Sequence, residues 1–357
     1  MRGLLCPDPR LVRRYLENNN MVGTSHISVR NLSVHFPLGR QLFGKPPVVR
    51  AVDGVSLEIP KGSFFGLVGE SGSGKTTLGR AILKAAPITS GQILYRDDEI
   101  KYDLGNIGKE QLKDYRARAQ LIFQDPYAAL SPRMTVRDII AEPLEVMGIT
   151  DTRSATDDRV REIASKCRLN LEHLRRFPHA FSGGQRQRIS IARALVCNPK
   201  FVVADESVAA LDVSIQADIL NLLESLRGEL QNTFLFISHD LSVVAHICDT
   251  VAVMYLGILV ESAPTRSLFS NPSHPYTKAL LSAIPSLDPD IRGKAQKLEG
   301  EIPSPVNPPS GCKFHTRCPV AEEHCRREVP LWRELSEGHS VACHFAEPKP
   351  LPENIYN

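Results

Sequence analysis

The chain has 357 residues, 42% of them hydrophobic and 23% charged, with a formal net charge of +3. These values fit one large globular domain with a smaller appendage, or two domains of middling size, and they exclude wholesale disorder. The charge is too mild for a dedicated nucleic-acid binder. The longest uncharged apolar stretch, 251–260, is half of the roughly 20 residues a membrane helix needs, so a soluble chain is expected.

In chain order, residues 1–20 carry Arg2, Arg10, Arg13 and Arg14 but no apolar core or cleavage site of a secretory signal. They read as a tail, with Met21 as an alternative start. Ile27, Val29, Leu32, Val34 and Phe36 alternate with one register break, which predicts a strand. Val55, Leu57 and Ile59 predict a second, closed by a turn at Pro60-Lys61-Gly62. The continuous apolar run 64–68 reads as a strand buried on both faces of a parallel sheet. A glycine-rich loop follows, then a helix over 76–86. Further buried strands are expected over 119–123, 201–204 and 234–237, and helices over 136–147, 155–167, 186–196 and 213–230. Such alternation predicts an α/β fold with a largely parallel sheet. After about residue 268 prolines become dense and apolar periodicity survives only at 276–284. That region reads as a linker and a small cysteine-containing module.

The loop from Gly69 to Thr76 fits G-x-x-x-x-G-K-[ST] between a predicted strand and a predicted helix. Its glycines let backbone amides surround phosphate oxygens, and the following helix adds its positive end. Lys75 would reach the β- and γ-phosphates, and Thr76 would offer its hydroxyl to Mg²⁺. The run 201–206 is an apolar strand ending in Asp205 and Glu206. Asp205 suits the Mg²⁺ side, and Glu206 is placed to polarise an attacking water. Phe181-Ser182-Gly183-Gly184-Gln185 opens a helix and forms a second anion site. In a chain that already has a phosphate loop, a second site makes sense if it serves the nucleotide of a partner subunit. Arg188, on the same helix, is expected to lie on a solvated face.

Together these elements resemble the ATP-binding cassette (ABC) ATPases. Gly69–Thr76 resembles Walker A, Gln124 in Phe123-Gln124-Asp125-Pro126 the Q-loop, and Ser182–Gln185 the signature motif. Asp205 and Glu206 resemble Walker B, Ala210-Leu211-Asp212 the D-loop, and His239 in Ile237-Ser238-His239-Asp240 the switch histidine. The resemblance implies a P-loop NTPase core with a helical subdomain. It makes Glu206 the general base and has His239 contact the γ-phosphate, puts Gln124 and Lys75 with them in the catalytic set, and makes Thr76, Gln124 and Asp205 the Mg²⁺ residues. It implies ATP contacts from Gly69, Ser71, Gly72, Ser73, Gly74, Lys75, Thr76 and Thr77, with Ser182, Gly183, Gly184 and Gln185 reaching the γ-phosphate of the opposite subunit. Three positions depart from the pattern. Ser207 stands where Pro usually follows Walker B and is expected to donate to a nearby backbone group. Phe181 replaces the common Leu. The aromatic that stacks on adenine is not obvious, Phe43 being a weak candidate near Pro46-Pro47-Val48-Val49.

The resemblance narrows to the ATPases of dipeptide/oligopeptide importers (Dpp/Opp type). It rests on His35-Phe36-Pro37, the run 123–133, Asn271-Pro272-Ser273-His274-Pro275-Tyr276-Thr277, the run 302–312 and the run 339–344. It implies a nucleotide-binding domain at 22–268 (helical subdomain about 125–182), a C-terminal module at 269–348 and tails at 1–21 and 349–357. It also implies a peripheral protein on the cytoplasmic face of the inner (plasma) membrane, working as a heterodimer with a second ATPase. Its further partners would be two permease subunits and an extracytoplasmic solute-binding protein, with no nucleic acid. The solute is never touched by such a subunit, so nickel, glutathione, opines and oligosaccharides stand beside peptides. A soluble ABC protein acting on DNA or ribosomes and an exporter motor are the remaining readings, and neither the basic regions of the one nor the fused membrane spans of the other are seen.

Cysteine usage is uneven. Cys6, Cys167, Cys197 and Cys248 are scattered, and the last three read as small buried hydrophobes. Cys312-x5-Cys318-x6-Cys325-x17-Cys343 crowd together, and without a signal peptide metal comes ahead of disulfide. From spacing alone Zn²⁺ and an iron–sulfur cluster are even, with free thiols third. The family resemblance favours a [4Fe–4S] cluster. His315, His324 and His344 lie nearby and Zn²⁺ could recruit one of them, but they read first as solvated or outside the ligand set.

Overall fold

The computed structural model describes residues 25–39, 46–209, 211–284 and 298–347. Expectations for the 1–20 tail, Cys6, Met21, Phe43, Ala210 and residues 348–357 therefore lie outside the described residues. The strands are β1 (Ser25–Pro37), β2 (Val48–Pro60), β3 (Phe64–Val68), β4 (Ser90–Arg96), β5 (Lys101–Asp103) and β6 (Ala119–Ile122), then β7 (Phe201–Asp205), β8 (Thr233–Ser238), β9 (Thr250–Tyr255), β10 (Ile258–Pro264), β11 (Arg333–Ser336) and β12 (His339–Val341).

They form a sheet of order β2-β1-β4-β5 and a larger one of order β11-β12-β10-β9-β3-β8-β7-β6. Within the larger sheet β9, β3, β8, β7 and β6 run parallel. β3, β7 and β8 are buried at every position, because apolar layers cover both faces. Phe64, Val68, Val202, Ala204, Phe234 and Phe236 face the layer built from the helices Val136–Met147, Arg153–Lys166, Gly183–Leu195 and Val213–Leu230. Their alternates Phe65, Leu67, Phe201, Val203, Leu235 and Ile237 face the helix Lys75–Ile82 and the smaller sheet. The mainly parallel α/β core is as expected. The break in alternation falls between Val29 and Leu32, at Asn31 with φ 46°, and the pairing of β1 with β2 shifts register at three further points.

Some elements differ from expectation. The first helix ends at Ile82, because Lys84 takes a left-handed conformation, φ 57°. The apolar run 251–260 is a hairpin, β9–β10, turned at Leu256 and Gly257 with φ of 43° and 81°. Arg188 is half-exposed, and its guanidinium also donates to the Cys167 carbonyl at 3.3 Å. Cys167 and Cys248 are buried, but Cys197 is only half-buried.

The C-terminal segment is built onto this core. β12 pairs antiparallel with β10, Val341 opposite Glu261, and β11 extends the edge. Phe314 is buried within the layer that also holds β9 and β10 residues; burying such a side chain stabilises by about 1.5–3 kcal/mol. Glu261 is fully buried and accepts from His339 Nε2 at 2.8 Å and from the amides of Ser273 and His274 at 2.7 and 3.0 Å. Burial pushes its carboxyl up, but these donors outweigh burial and hold it below the usual range.

Candidate nucleotide site

The chain leaves β3 into the loop 69–74 and enters the helix Lys75–Ile82, as the pattern at 69–76 predicts. Gly74 has φ 105°, and a Cβ there would sit 2.1 Å from the Ala51 carbonyl oxygen, so the loop closes only around a glycine. Lys75 is buried, its Nζ donating to the carbonyls of Gly69 and Glu70 at 2.8 and 2.9 Å and lying 3.4 Å from Ser73 Oγ. Burial lowers its pKa, while the charges of Glu206, Asp205 and Glu70 pull it back up.

Thr76 Oγ1 donates to Asp205 Oδ1 at 3.0 Å, joining the loop to the end of β7. Burial raises the Asp205 pKa, and the Thr76 bond partly offsets it. A buried carboxylate paired with a hydroxyl is a hard-oxygen donor set that suits Mg²⁺. Glu206 follows at φ 45°, a strained conformation for a residue with a side chain. Its amide donates to the Ile237 carbonyl at 2.9 Å, which fixes the side chain across the sheet. Glu206 Oε2 accepts from Gln124 Nε2 at 2.7 Å, and its Oε1 lies 3.4 Å from His239 Nδ1. Gln124, Glu206 and His239 come from three separated loops, yet they meet at one carboxylate. Ser207 differs from expectation: its hydroxyl is buried and meets no partner.

The signature residues lie apart from this group. Ser182 caps the helix Gly183–Leu195 reciprocally: its Oγ accepts from the Gln185 amide at 3.4 Å, and Gln185 Oε1 accepts from the Ser182 amide at 3.0 Å. Among the described residues no hydrogen bond joins Ser182–Gln185 to the phosphate loop, and Ser182 and Gln185 face solvent. A Cβ on buried Gly184 would meet Ile215 Cγ2 at 2.5 Å. Arg186 donates to the Pro178 carbonyl at 2.8 Å and stacks 4.1 Å over the Tyr127 ring.

In the C-terminal module the Cys312 amide donates to the Cys325 carbonyl at 2.8 Å. Gly311, φ 64°, allows this approach, since a Cβ there would lie 2.4 Å from the same carbonyl. Cys325 and Cys343 are buried, and Cys312 and Cys318 half-buried. Burial, then the neighbouring thiolates, push the Cys312 thiol up to about 11, despite a bond from the Phe314 amide that lowers it. Among the described residues the metal-type ligand atoms that converge most tightly are those of His324, Cys325 and His344, all within 4.8 Å. His324 and His344 thus stand beside Cys325, which fits the alternative in which Zn²⁺ recruits a histidine.

Residues 52–209 match the family described as ABC transporter, and residues 260–325 match the oligopeptide/dipeptide transporter C-terminal region. A putative peptide import ATP-binding protein of Brucella ovis is 49% identical over 323 residues, covering 90% of this chain and 98% of that protein. This chain belongs to the ABC transporter ATP-binding proteins. The oligopeptide transport ATP-binding protein AppF of Bacillus subtilis is 48% identical, over 89% of this chain and 97% of its own. The di/tripeptide transport ATP-binding protein DppF of Pseudomonas aeruginosa is 45% identical, over 90% and 98%. A dimeric structure of MJ0796, a bacterial ABC transporter cassette, superposes with TM-score 0.58 at 27% identity, over 67% of this chain and 99% of that one. As an ABC ATPase subunit, the chain hydrolyses ATP in concert with membrane permeases. Among the described residues no helix is long and apolar enough to cross a membrane.

Proposed function

We propose that this ABC ATPase drives the import of di- and oligopeptides, bound peripherally at the cytoplasmic face of the inner (plasma) membrane. It would pair with a second, different ATPase on two permease subunits, supplied by an extracytoplasmic solute-binding protein. The observation that carries the catalytic reading is the meeting of Gln124, Glu206 and His239 beside the Thr76–Asp205 pair. ATP would lie with its phosphates in the loop Gly69–Thr76, contacted by Ser71, Gly72, Ser73, Gly74, Lys75, Thr76 and Thr77. Thr76, Asp205 and Gln124 would hold Mg²⁺, which supplies charge neutralisation for the β- and γ-oxygens. Glu206 orients a water and takes its proton as the water oxygen attacks the γ-phosphorus and the bond to the β-phosphate oxygen breaks. His239 and Gln124 hold the Glu206 carboxylate in place. Ser182 and Gln185 are exposed at the start of the helix Gly183–Leu195, and with Gly183 and Gly184 they would close on the nucleotide of the partner subunit. Exposed Phe123, Tyr127, Val146 and Ile149 lie in the interval between Q-loop and signature, and suit apposition to the permeases.

The peptide assignment rests on what the relatives are named for. It is tested by reconstituting the chain with its permeases and binding protein and measuring ATP turnover against short peptides, oligosaccharides, opines, glutathione and Ni²⁺. Stimulation by peptides alone is the expected result. Stimulation by another class keeps the motor and discards the peptide.

We further propose that Cys312, Cys318, Cys325 and Cys343 hold a [4Fe–4S] cluster, which would staple the C-terminal segment onto the core. Cys318, Cys325 and Cys343 lie near enough to Cys312 for their charges to act on it, which supports a shared centre. A single Zn²⁺, at about 2.0–2.3 Å from each ligand, needs ligands much closer together, and His324, Cys325 and His344 favour that second reading. Anaerobic purification is expected to give a brown protein carrying about four irons, lost on Cys343→Ala. A colourless protein with one zinc, lost on His344→Ala, would establish the other.

A further inference from the structure

Every polar group of Glu70, the second residue of the phosphate loop, is held. Its carbonyl accepts from Lys75 Nζ at 2.9 Å and from the Ser73 amide at 3.2 Å. Its amide donates to the Tyr276 hydroxyl at 2.9 Å. Its carboxylate takes a two-point contact from Arg317, Nη1 to Oε2 at 2.7 Å and Nη2 to Oε1 at 3.1 Å. Tyr276 and Arg317 both come from the C-terminal part of the chain. Tyr276 is fully buried, packed with Tyr255 and Phe314 at ring separations of 4.8 and 5.3 Å, and the Arg317 side chain is only 7% exposed. Lys313, one turn earlier, forms a second bridge, to Asp53 at 2.8 Å and to the Leu256 carbonyl at 3.1 Å.

A carboxylate on a loop that must receive a polyphosphate has the wrong sign. It repels the ligand and competes for Lys75, on which its charge already acts. A planar guanidinium with two parallel bonds removes that penalty and fixes the side chain away from the loop interior. We infer that Arg317 is a positioning residue for the nucleotide: by neutralising Glu70, and with Tyr276 holding its backbone, it tunes the phosphate loop for ATP, so that the C-terminal segment sets nucleotide affinity. This rests on reading Gly69–Thr76 as the phosphate loop.

The test is binding of trinitrophenyl-ATP with Mg²⁺ to the full chain. Arg317→Ala is expected to weaken it on the order of tenfold, the loss of one charge-assisted pair. In the assembled transporter the change falls on KM for ATP rather than on kcat. Removing the second charge reverses it: Arg317→Ala with Glu70→Gln returns to within about threefold of the parent. Arg317→Lys, which keeps the charge, recovers part of the affinity. A simple structural staple gives the opposite pattern, because deleting both partners restores nothing. Parental affinity in Arg317→Ala, or a double variant as weak as the single one, overturns the inference. Should Arg317→Ala fail to fold, Glu70→Gln alone decides, since it is expected to bind more tightly and a weaker complex overturns the idea. Lys75→Ala, measured alongside, reports on the phosphate-loop reading itself.

Discussion

Glu206→Gln should leave ATP bound while turnover falls by about 10²- to 10⁴-fold, the usual contribution of a general base. The amide has the size of the carboxylate and can still meet Gln124, which donates to Oε2 at 2.7 Å. What it lacks is a basic lone pair for the proton of the attacking water. Because hydrolysis reopens the dimer, the variant should accumulate as a closed, ATP-bound dimer. Single-turnover hydrolysis and gel filtration with Mg·ATP check both parts. Turnover within about threefold of the parent would remove Glu206 as the base. The strained φ of 45° at this residue argues in the same direction, since the backbone is held there to aim a side chain.

Lys75→Ala should raise the dissociation constant for ATP by about 100-fold or more, because charge-assisted bonds to buried groups are worth about 1.5–3 kcal/mol each and several are lost together. The lysine also balances three acids whose charges act on it, Glu206, Asp205 and Glu70. Without the ammonium the carboxylates of Glu206 and Asp205 lose a compensating charge beside the phosphates. Equilibrium binding of a fluorescent ATP analogue measures the effect, and retained tight binding would end the phosphate-loop assignment. A fold check by circular dichroism belongs with it, since the loop carbonyls of Gly69 and Glu70 lose a donor as well.

Local chemistry made much of this site legible beforehand. A glycine loop between an apolar run and a helix has few other uses, so the loop at 69–76 and the helix after it could be placed from spacing. The buried strands 64–68 and 201–205 announced themselves as continuous apolar runs, since a strand covered on both faces cannot alternate. The helices Val136–Met147 and Val213–Leu230 carried a clear apolar stripe. Weaker elements escaped. The helix Lys109–Arg118 buries a single residue, Tyr115, among charges, and so leaves almost no periodic signal. The hairpin β9–β10 reads as one apolar run, because its turn needs only Leu256 and Gly257. Ser207 was expected to find a backbone acceptor, yet side-chain reach in a packed interior is decided by neighbours that no local pattern contains.

By itself the sequence determined what chemistry to expect: which residues would grip phosphate, hold Mg²⁺ or activate water, and the order of most strands and helices that carry them. These depend on residue type and short spacing, which act within a few residues. Only the tertiary structure decided who meets whom across the chain. Gln124, Glu206 and His239 converge because β6, β7 and β8 are neighbours in one parallel sheet and present their C-terminal ends together. Glu70 meets Arg317, 247 residues away, because Tyr276 and Phe314 pack on Tyr255 of β9 and seat the C-terminal segment beside the phosphate loop. Pairing at such a distance leaves no trace in local composition, since it is made by chain topology and by the burial of aromatic side chains such as Tyr276 and Phe314.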